Sequence, residues 1–261
     1  MLIDAHVHIF PNVDGYGPKG HTHGVGYGRI DAGDGIAQDV LPAINENTSH
    51  TLQMLLHEMR QAQVDKAVLI LCPCYGDWSE YVLQACRDYP EQFTASAFFD
   101  PWSPAARQYY AEKLEGSLWK NIKIEFSEAG GLYGVYPGVQ LDAPELRWLW
   151  EAMEAGGKTV SFDLGRPGDG SYQTDQIASI AKRHPGLKIV QPSRAAERNP
   201  ELWSAWLEQI RLGTLPNVWF DLSALPYHVQ KEEEYPFPST KRYFDLARGI
   251  VGAKKLLWGT D

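Results

Sequence analysis

Two histidines stand one residue apart in the opening apolar run LIDAHVHIF, which starts at Leu2. In a β-strand, residues i and i+2 face the same side. Asp4, His6 and His8 are therefore expected on one face, and Ile3, Ala5, Val7 and Ile9 on the other. Two neutral imidazoles side by side at the end of a strand can hold one metal ion. The alternative is a hydrogen-bonded pair of interior histidines, and the His-x-His spacing favours the metal. A second constellation lies in NIKIEFS, where Lys123, Glu125 and Ser127 alternate with Ile122, Ile124 and Phe126. The alternation turns the polar set inward, where a charged Lys and Glu are costly unless paired or ligated. Lys123 is a candidate for binding a substrate carboxylate, and a mutual Lys123–Glu125 salt bridge without chemistry is an equal alternative. In TVSFDLG the same alternation turns Ser161 and Asp163 inward, and Asp163 is a candidate ligand or substrate contact. Arg166 and Arg194 follow the fifth and sixth runs, where a guanidinium suits carboxylate recognition, although for either one alone a surface salt bridge is the safer reading. Asp221 and Ser223 are candidate pocket residues, and Asp221 could instead brace a histidine from behind.

These residues need a frame. Eight apolar runs begin at Leu2, Lys66, Phe93, Asn121, Thr159, Lys188, Asn217 and Lys255. Helical patterns separate them: Leu52, Leu55, Leu56 and Met59; then Tyr81, Val82 and Ala85 behind a possible Asp77/Glu80 capping box; and later Ile177, Ile180 and Ala181. Strands alternating with helices imply right-handed βαβ units and a parallel sheet. Eight of them in 261 residues favour one α/β domain over 1–261, a (β/α)8 TIM barrel. A doubly wound sheet would carry a Gly-rich phosphate loop after the first strand, and HVHIFPNVDGYGPKG is not one. Residues 11–48 read as a long Gly-, Pro- and Asp-rich loop of the kind that forms lids. Because the sequence ends right after the eighth run, the eighth helix is expected to be absent or cut short in it.

Composition narrows the partners. The net charge of −9 offers no basic footprint for nucleic acid. No stretch is long and apolar enough to span a bilayer, and MLIDAHVHIF lacks the basic start of a signal peptide. Three cysteines fit a reducing cytosol, so a cytoplasmic protein is expected. Cys72-Pro73-Cys74 is not a CxxC motif and reads as apolar filling at a strand end. His21 and His23 read as exposed loop residues.

The opening IDAHVHIF and the ending LLWGTD resemble the first and last strand motifs of the amidohydrolase superfamily. More narrowly they resemble its amidohydrolase 2 branch, which includes aminocarboxymuconate-semialdehyde decarboxylase, resorcylate-type decarboxylases and dicarboxylate lactonases. NVWFDLS is similar to the branch's seventh strand, and strand order matches over the whole chain. The resemblance implies that His6, His8 and Asp261 ligate a divalent metal, zinc or else manganese, and that Asp261 moves a proton. The branch also offers histidines on strands five and six, where this chain has Asp163 and Gln191. Glu125 is the candidate replacement ligand or proton shuttle.

The expected activity is metal-dependent hydrolysis of a small carboxylate-bearing lactone, ester or amide by an activated water. A metal-dependent decarboxylase of an aromatic or unsaturated acid uses the same shell. A barrel that has lost its metal and only binds is the third alternative. The expected partner is a small-molecule substrate, in a chain that could self-associate.

Overall fold

The computed structural model describes residues 1–17, 19–43, 45–192, 200–223, 225 and 233–261. Eight parallel strands form one sheet in the order β1-β6-β7-β8-β9-β10-β11-β12. They are β1 (Ile3–Val7), β6 (Lys66–Ile70), β7 (Phe93–Phe98), β8 (Trp119–Glu125), β9 (Thr159–Asp163), β10 (Lys188–Pro192), β11 (Val218–Asp221) and β12 (Leu256–Leu257). All eight expected strands are present. The ring closes where Ala5 N–H donates to Trp258 O at 2.9 Å and Asp261 N–H donates to His6 O at 2.8 Å. Asp4 reinforces the seam: Thr260 donates to it from its backbone N–H at 3.1 Å and from its hydroxyl at 2.7 Å. Gly259 lies so close to β1 that a Cβ there would meet His6 Cβ at 2.8 Å. Together these elements make the expected TIM barrel.

Helices α1 (Leu52–Ala62), α2 (Ser79–Asp88), α3 (Ala106–Tyr109), α4 (Leu132–Val135), α5 (Arg147–Ala155), α6 (Thr174–Arg183), α7 (Pro200–Arg211) and α8 (Pro238–Val251) lie between the strands. Their apolar stripes meet the outward strand residues. Leu55, Leu56 and Met59 of α1 and Ile177, Ile180 and Ala181 of α6 are buried, in one cluster with Leu69, Ile122, Ile124, Val160, Phe162 and Phe220. Burying each such side chain contributes roughly 1.5–3 kcal/mol. The α2 cap differs by a residue from the expected box: Asp77 Oδ1 accepts from Ser79 N–H at 3.2 Å, one turn position early. No helix among the described residues is long and apolar enough to cross a membrane.

The stretch read as a long loop, 11–48, instead contains a four-stranded antiparallel sheet, β2 (Asp14–Gly17), β3 (Gly20–Gly26), β4 (Arg29–Asp31) and β5 (Ala37–Asp39). Tyr27 and Gly28, both at positive φ, turn β3 into β4 as the hairpin geometry requires. The sheet docks on the barrel through Asp14 N–H to Tyr75 O at 3.1 Å and Tyr16 N–H to Pro73 O at 2.9 Å. Gly15 allows this approach, since a Cβ there would lie 2.2 Å from Pro73 O. Phe10, Val13 and Ile30 form a small core beneath it, with Tyr75 and Trp78 packed against them.

Candidate metal centre

Inside the barrel the polar residues fall into layers. The lower layer is Asn121, whose amide donates to Ser96 Oγ at 2.7 Å and Ser161 Oγ at 2.9 Å. Above it, at the C-terminal ends of the strands, lies a cavity of about 150 Å³ walled by His6, His8, Lys123, Glu125, Asp163 and Asp261, with Cys72, Tyr75, Pro192 and Ser223. A wider cavity of about 980 Å³ shares Tyr75 and Asp261 with it.

His6 and His8 are both buried at the end of β1. His8 Nδ1 lies 2.6 Å from Ile70 O, and a carbonyl only accepts, so this nitrogen carries the proton. His6 Nδ1 lies 2.5 Å from Asp221 Oδ2 and donates to it. Both rings are thus fixed through Nδ1, which leaves both Nε2 atoms aimed into the cavity 3.2 Å apart. Asp261 Oδ1 sits 3.1 Å from His8 Nε2 and 3.4 Å from His6 Nε2. Among the described residues, these three side chains form a group whose ligand atoms lie within 4.8 Å of one another and could hold a metal ion. Three lone-pair donors facing one point repel unless a proton or a cation lies between them. Burial works to lower the His6 pKa, but the hydrogen bond and charge of Asp221, with Asp261 behind it, outweigh this and hold it above the ordinary value. Asp261 is held far below the carboxylate range: burial raises it, and the His8 hydrogen bond with the neighbouring positive charges more than offsets that. Two imidazoles and a carboxylate suit a divalent cation of the zinc or manganese kind.

The other expected residues divide. Lys123 Nζ pairs with Glu125 Oε2 at 3.2 Å, and Ser127 Oγ donates to Glu125 Oε1 at 2.7 Å. Burial acts to neutralise Lys123, yet the carboxylates of Glu125, Asp163 and Asp261 and the Cys72 thiolate keep it cationic. Glu125 lies on the cavity wall outside the His6/His8/Asp261 group. Asp163 is buried on the same wall and accepts from Gly165 N–H at 3.0 Å. Arg166 is exposed on the turn beyond β9 and does not line the cavity. Asp221 braces His6, and Ser223 donates to Asp221 Oδ1 from its backbone at 2.9 Å. Arg194, His228 and Glu232 lie outside the described residues.

Two orientations differ from the sequence reading. The register of β1 breaks between Asp4 and Val7, and Ala5 lines the barrel interior beside His6 instead of facing the helices. On β10 the interior residues are Val190 and Pro192, so the fully buried Gln191 between them faces the helix layer. The inward position at the end of β10 is therefore Pro192, which has no ligand atom to offer. Two wall residues went unread as site residues. Tyr75 packs edge-on to His8 at 5.2 Å and stacks on Phe10 at 4.2 Å. Cys72 is on the wall as well. Neither carries a motif, and only the turn that folds back from β6 brings them to the site.

The fold and this cluster define a (β/α)8 barrel with a metal-type site at the C-terminal mouth of its strands. A family model described as amidohydrolase (Amidohydro_2) matches residues 3–261, and the chain belongs to that family. Members of the family are enzymes, hydrolases and decarboxylases among them, and are typically dependent on a divalent metal. Solved structures share the fold. A probable 2-pyrone-4,6-dicarboxylic acid hydrolase from Acinetobacter baumannii, with citric acid bound, aligns with a TM-score of 0.70 at 14% identity, over 100% of this chain and 83% of that one. An amidohydrolase from Burkholderia multivorans with bound zinc aligns with a TM-score of 0.67 at 16% identity, over 100% and 84%. A 2,6-dihydroxybenzoate decarboxylase complexed with 2,6-dihydroxybenzoate aligns with a TM-score of 0.54 at 14% identity, over 82% and 78%. No curated protein matches the chain by sequence.

Proposed function

We propose that the chain is a divalent-metal-dependent hydrolase of a small carboxylate-bearing lactone, ester or amide. The observation that carries this reading is the convergence of His6 Nε2, His8 Nε2 and Asp261 Oδ1 on one point, with both Nδ1 atoms committed elsewhere. His6, His8 and Asp261 would hold the ion, zinc before manganese. Bound there, a metal would polarise a carbonyl and lower the pKa of a water from about 15.7 to about 7.

The chain's own residues do the rest. Asp261, about a third accessible, lies where the site opens and accepts the proton of the attacking water. Tyr75 is buried, which pushes its phenol pKa well up, so at neutral pH the hydroxyl stays protonated and donates to a substrate oxygen. Lys123, kept cationic, attracts the substrate's carboxylate, and Glu125 holds the ammonium in place. Asp163 bounds the far wall. A volume of about 150 Å³ admits only a small polar head. Arg166, exposed beyond the cavity, would meet only a substrate part that extends outward. The reading carries with it a cytoplasmic enzyme, consistent with three free thiols.

The test is elemental analysis of the purified protein, followed by turnover on lactones, esters and amides of small carboxylic acids. Near-stoichiometric metal with acid release supports the reading. Carbon dioxide released from aromatic or unsaturated acids would replace it with decarboxylation. A protein that takes up no metal after reconstitution would overturn it in favour of a binding-only barrel.

A further inference from the structure

After β6 the chain turns back through Cys72, Pro73, Cys74 and Tyr75, closed by a hydrogen bond from Tyr75 N–H to Cys72 O at 3.0 Å. The two cysteines are the first and third residues of this β-turn, with Pro73 at the position proline favours. They are close enough that each thiol shifts the ionisation of the other, Cys72 downward and Cys74 upward. Cys72 also forms part of the cavity wall, so a small solute in the cavity reaches it. The turn is pinned from outside by the small sheet, through Tyr16 N–H to Pro73 O and Asp14 N–H to Tyr75 O. The two thiols are therefore held together rather than meeting by chance.

We propose that Cys72 and Cys74 form an oxidisable dithiol on the wall of the metal-type site, which hydroperoxides convert to an intramolecular disulfide. The Cys72 thiolate attacks one peroxide oxygen. The O–O bond breaks and the departing hydroxide takes up a proton to leave as water, so Cys72 becomes a sulfenic acid. The Cys74 sulfur then attacks the Cys72 sulfur. The S–O bond breaks and the leaving hydroxide carries off the Cys74 proton as a second water. Two thiols are oxidised and one peroxide is reduced. Cys72 suits the first step because it lines the cavity that a peroxide enters, and Cys74 and Lys123 act to lower its thiol pKa against burial. Cys74 is pushed up and stays protonated, as the resolving thiol. The ring that closes spans one residue, and a β-turn holds its first and third residues at a separation a disulfide accepts. Oxidation removes a thiolate from beside Lys123 and fixes the turn that carries Tyr75.

The experiment treats the whole chain with hydrogen peroxide, quenches with iodoacetamide under denaturing conditions, and maps the peptides by mass spectrometry. The expected result is a peptide in which Cys72 and Cys74 resist alkylation until dithiothreitol is added, while Cys86 remains free. Cys86 is the internal control, because it is buried and its thiol is pushed up to about 11. In Cys74→Ser, Cys72 is expected to accumulate as a sulfenic acid that dimedone traps. Free Cys72 and Cys74 after treatment, or over-oxidation of Cys72 in the wild type as fast as in Cys74→Ser, would overturn the proposal. The readout does not depend on metal content or turnover, so it fails or succeeds apart from the proposed activity.

Discussion

Asp221 on β11 and His6 on β1 lie 215 positions apart in sequence and share a 2.5 Å hydrogen bond at Nδ1 inside the barrel. The carboxylate fixes the ring's tautomer and rotation, which leaves Nε2 free for a ligand. Replacing Asp221 with Asn removes the charge while keeping the shape. Such outer partners typically contribute 10–100-fold in metal affinity. Asp221→Asn is expected to weaken metal binding by about that factor without unfolding the protein, as read by competition with a chromogenic chelator and by circular dichroism. Unchanged affinity would reduce the pair to a structural contact.

The double variant His6→Ala/His8→Ala is expected to lose bound metal altogether and keep the barrel, since neither ring belongs to the apolar layer. Wild-type protein at a metal concentration a hundredfold above Kd gains about 2.7 kcal/mol of stability if only the folded state binds. For a chain of this size that raises Tm by several degrees. The double variant should show no such rise in differential scanning calorimetry, and an equal rise in both would disprove the site.

Lys123 and Glu125 form a pair that burial makes asymmetric to break. Removing one partner strands the other charge, at about 3–5 kcal/mol, whereas removing both is far less costly. Urea unfolding of Lys123→Met, Glu125→Gln and the double variant is expected to give large single losses and a partial recovery. Glu125→Gln also separates the two roles given to that residue. Metal content that falls sharply makes it a ligand, and unchanged content with lower turnover makes it a holder of Lys123.

The Cys72 thiol sets a pH dependence whose sign is fixed. Its pKa is lowered to about 6, so the reactive thiolate is present above that pH and lost as pH falls through it. The rate of Cys72 alkylation by iodoacetamide should rise through pH 6 and be nearly level by pH 7. An ordinary thiol would keep rising past about pH 8.5. A profile of the second kind would remove Cys74 as an influence on Cys72.

Much of this molecule could be read from local pattern. The strands, the inward Lys123 and Glu125 and the paired His6 and His8 all follow from a period of two in apolar runs, because a sheet buried on both faces leaves few other arrangements. Three features had no such signal. The β1 irregularity that turns Ala5 inward is a matter of hydrogen-bond register with β6, which a single strand does not encode. Gln191 looked like an interior residue until pairing with β9 and β11 fixed the parity of β10. The small sheet is built from strands rich in Gly and Asp, with every residue of β5 exposed, so its stability comes from docking at Pro73 and Tyr75 rather than from its own alternation. Asp261 was recognisable only through its motif, since a carboxylate after a short strand has no periodicity to mark it.

The seam where Trp258 and Asp261 bond back to β1 joins residues from opposite ends of the sequence. His8 and Asp261 are separated by 253 positions, and closing a loop of that length carries a length-dependent entropy cost of about 5 kcal/mol. The donor group does not exist in any half-folded barrel. An ion held by these residues would tie the last strand to the first, and its removal is expected to loosen first the junction between β12 and β1, leaving the opposite side of the barrel in place.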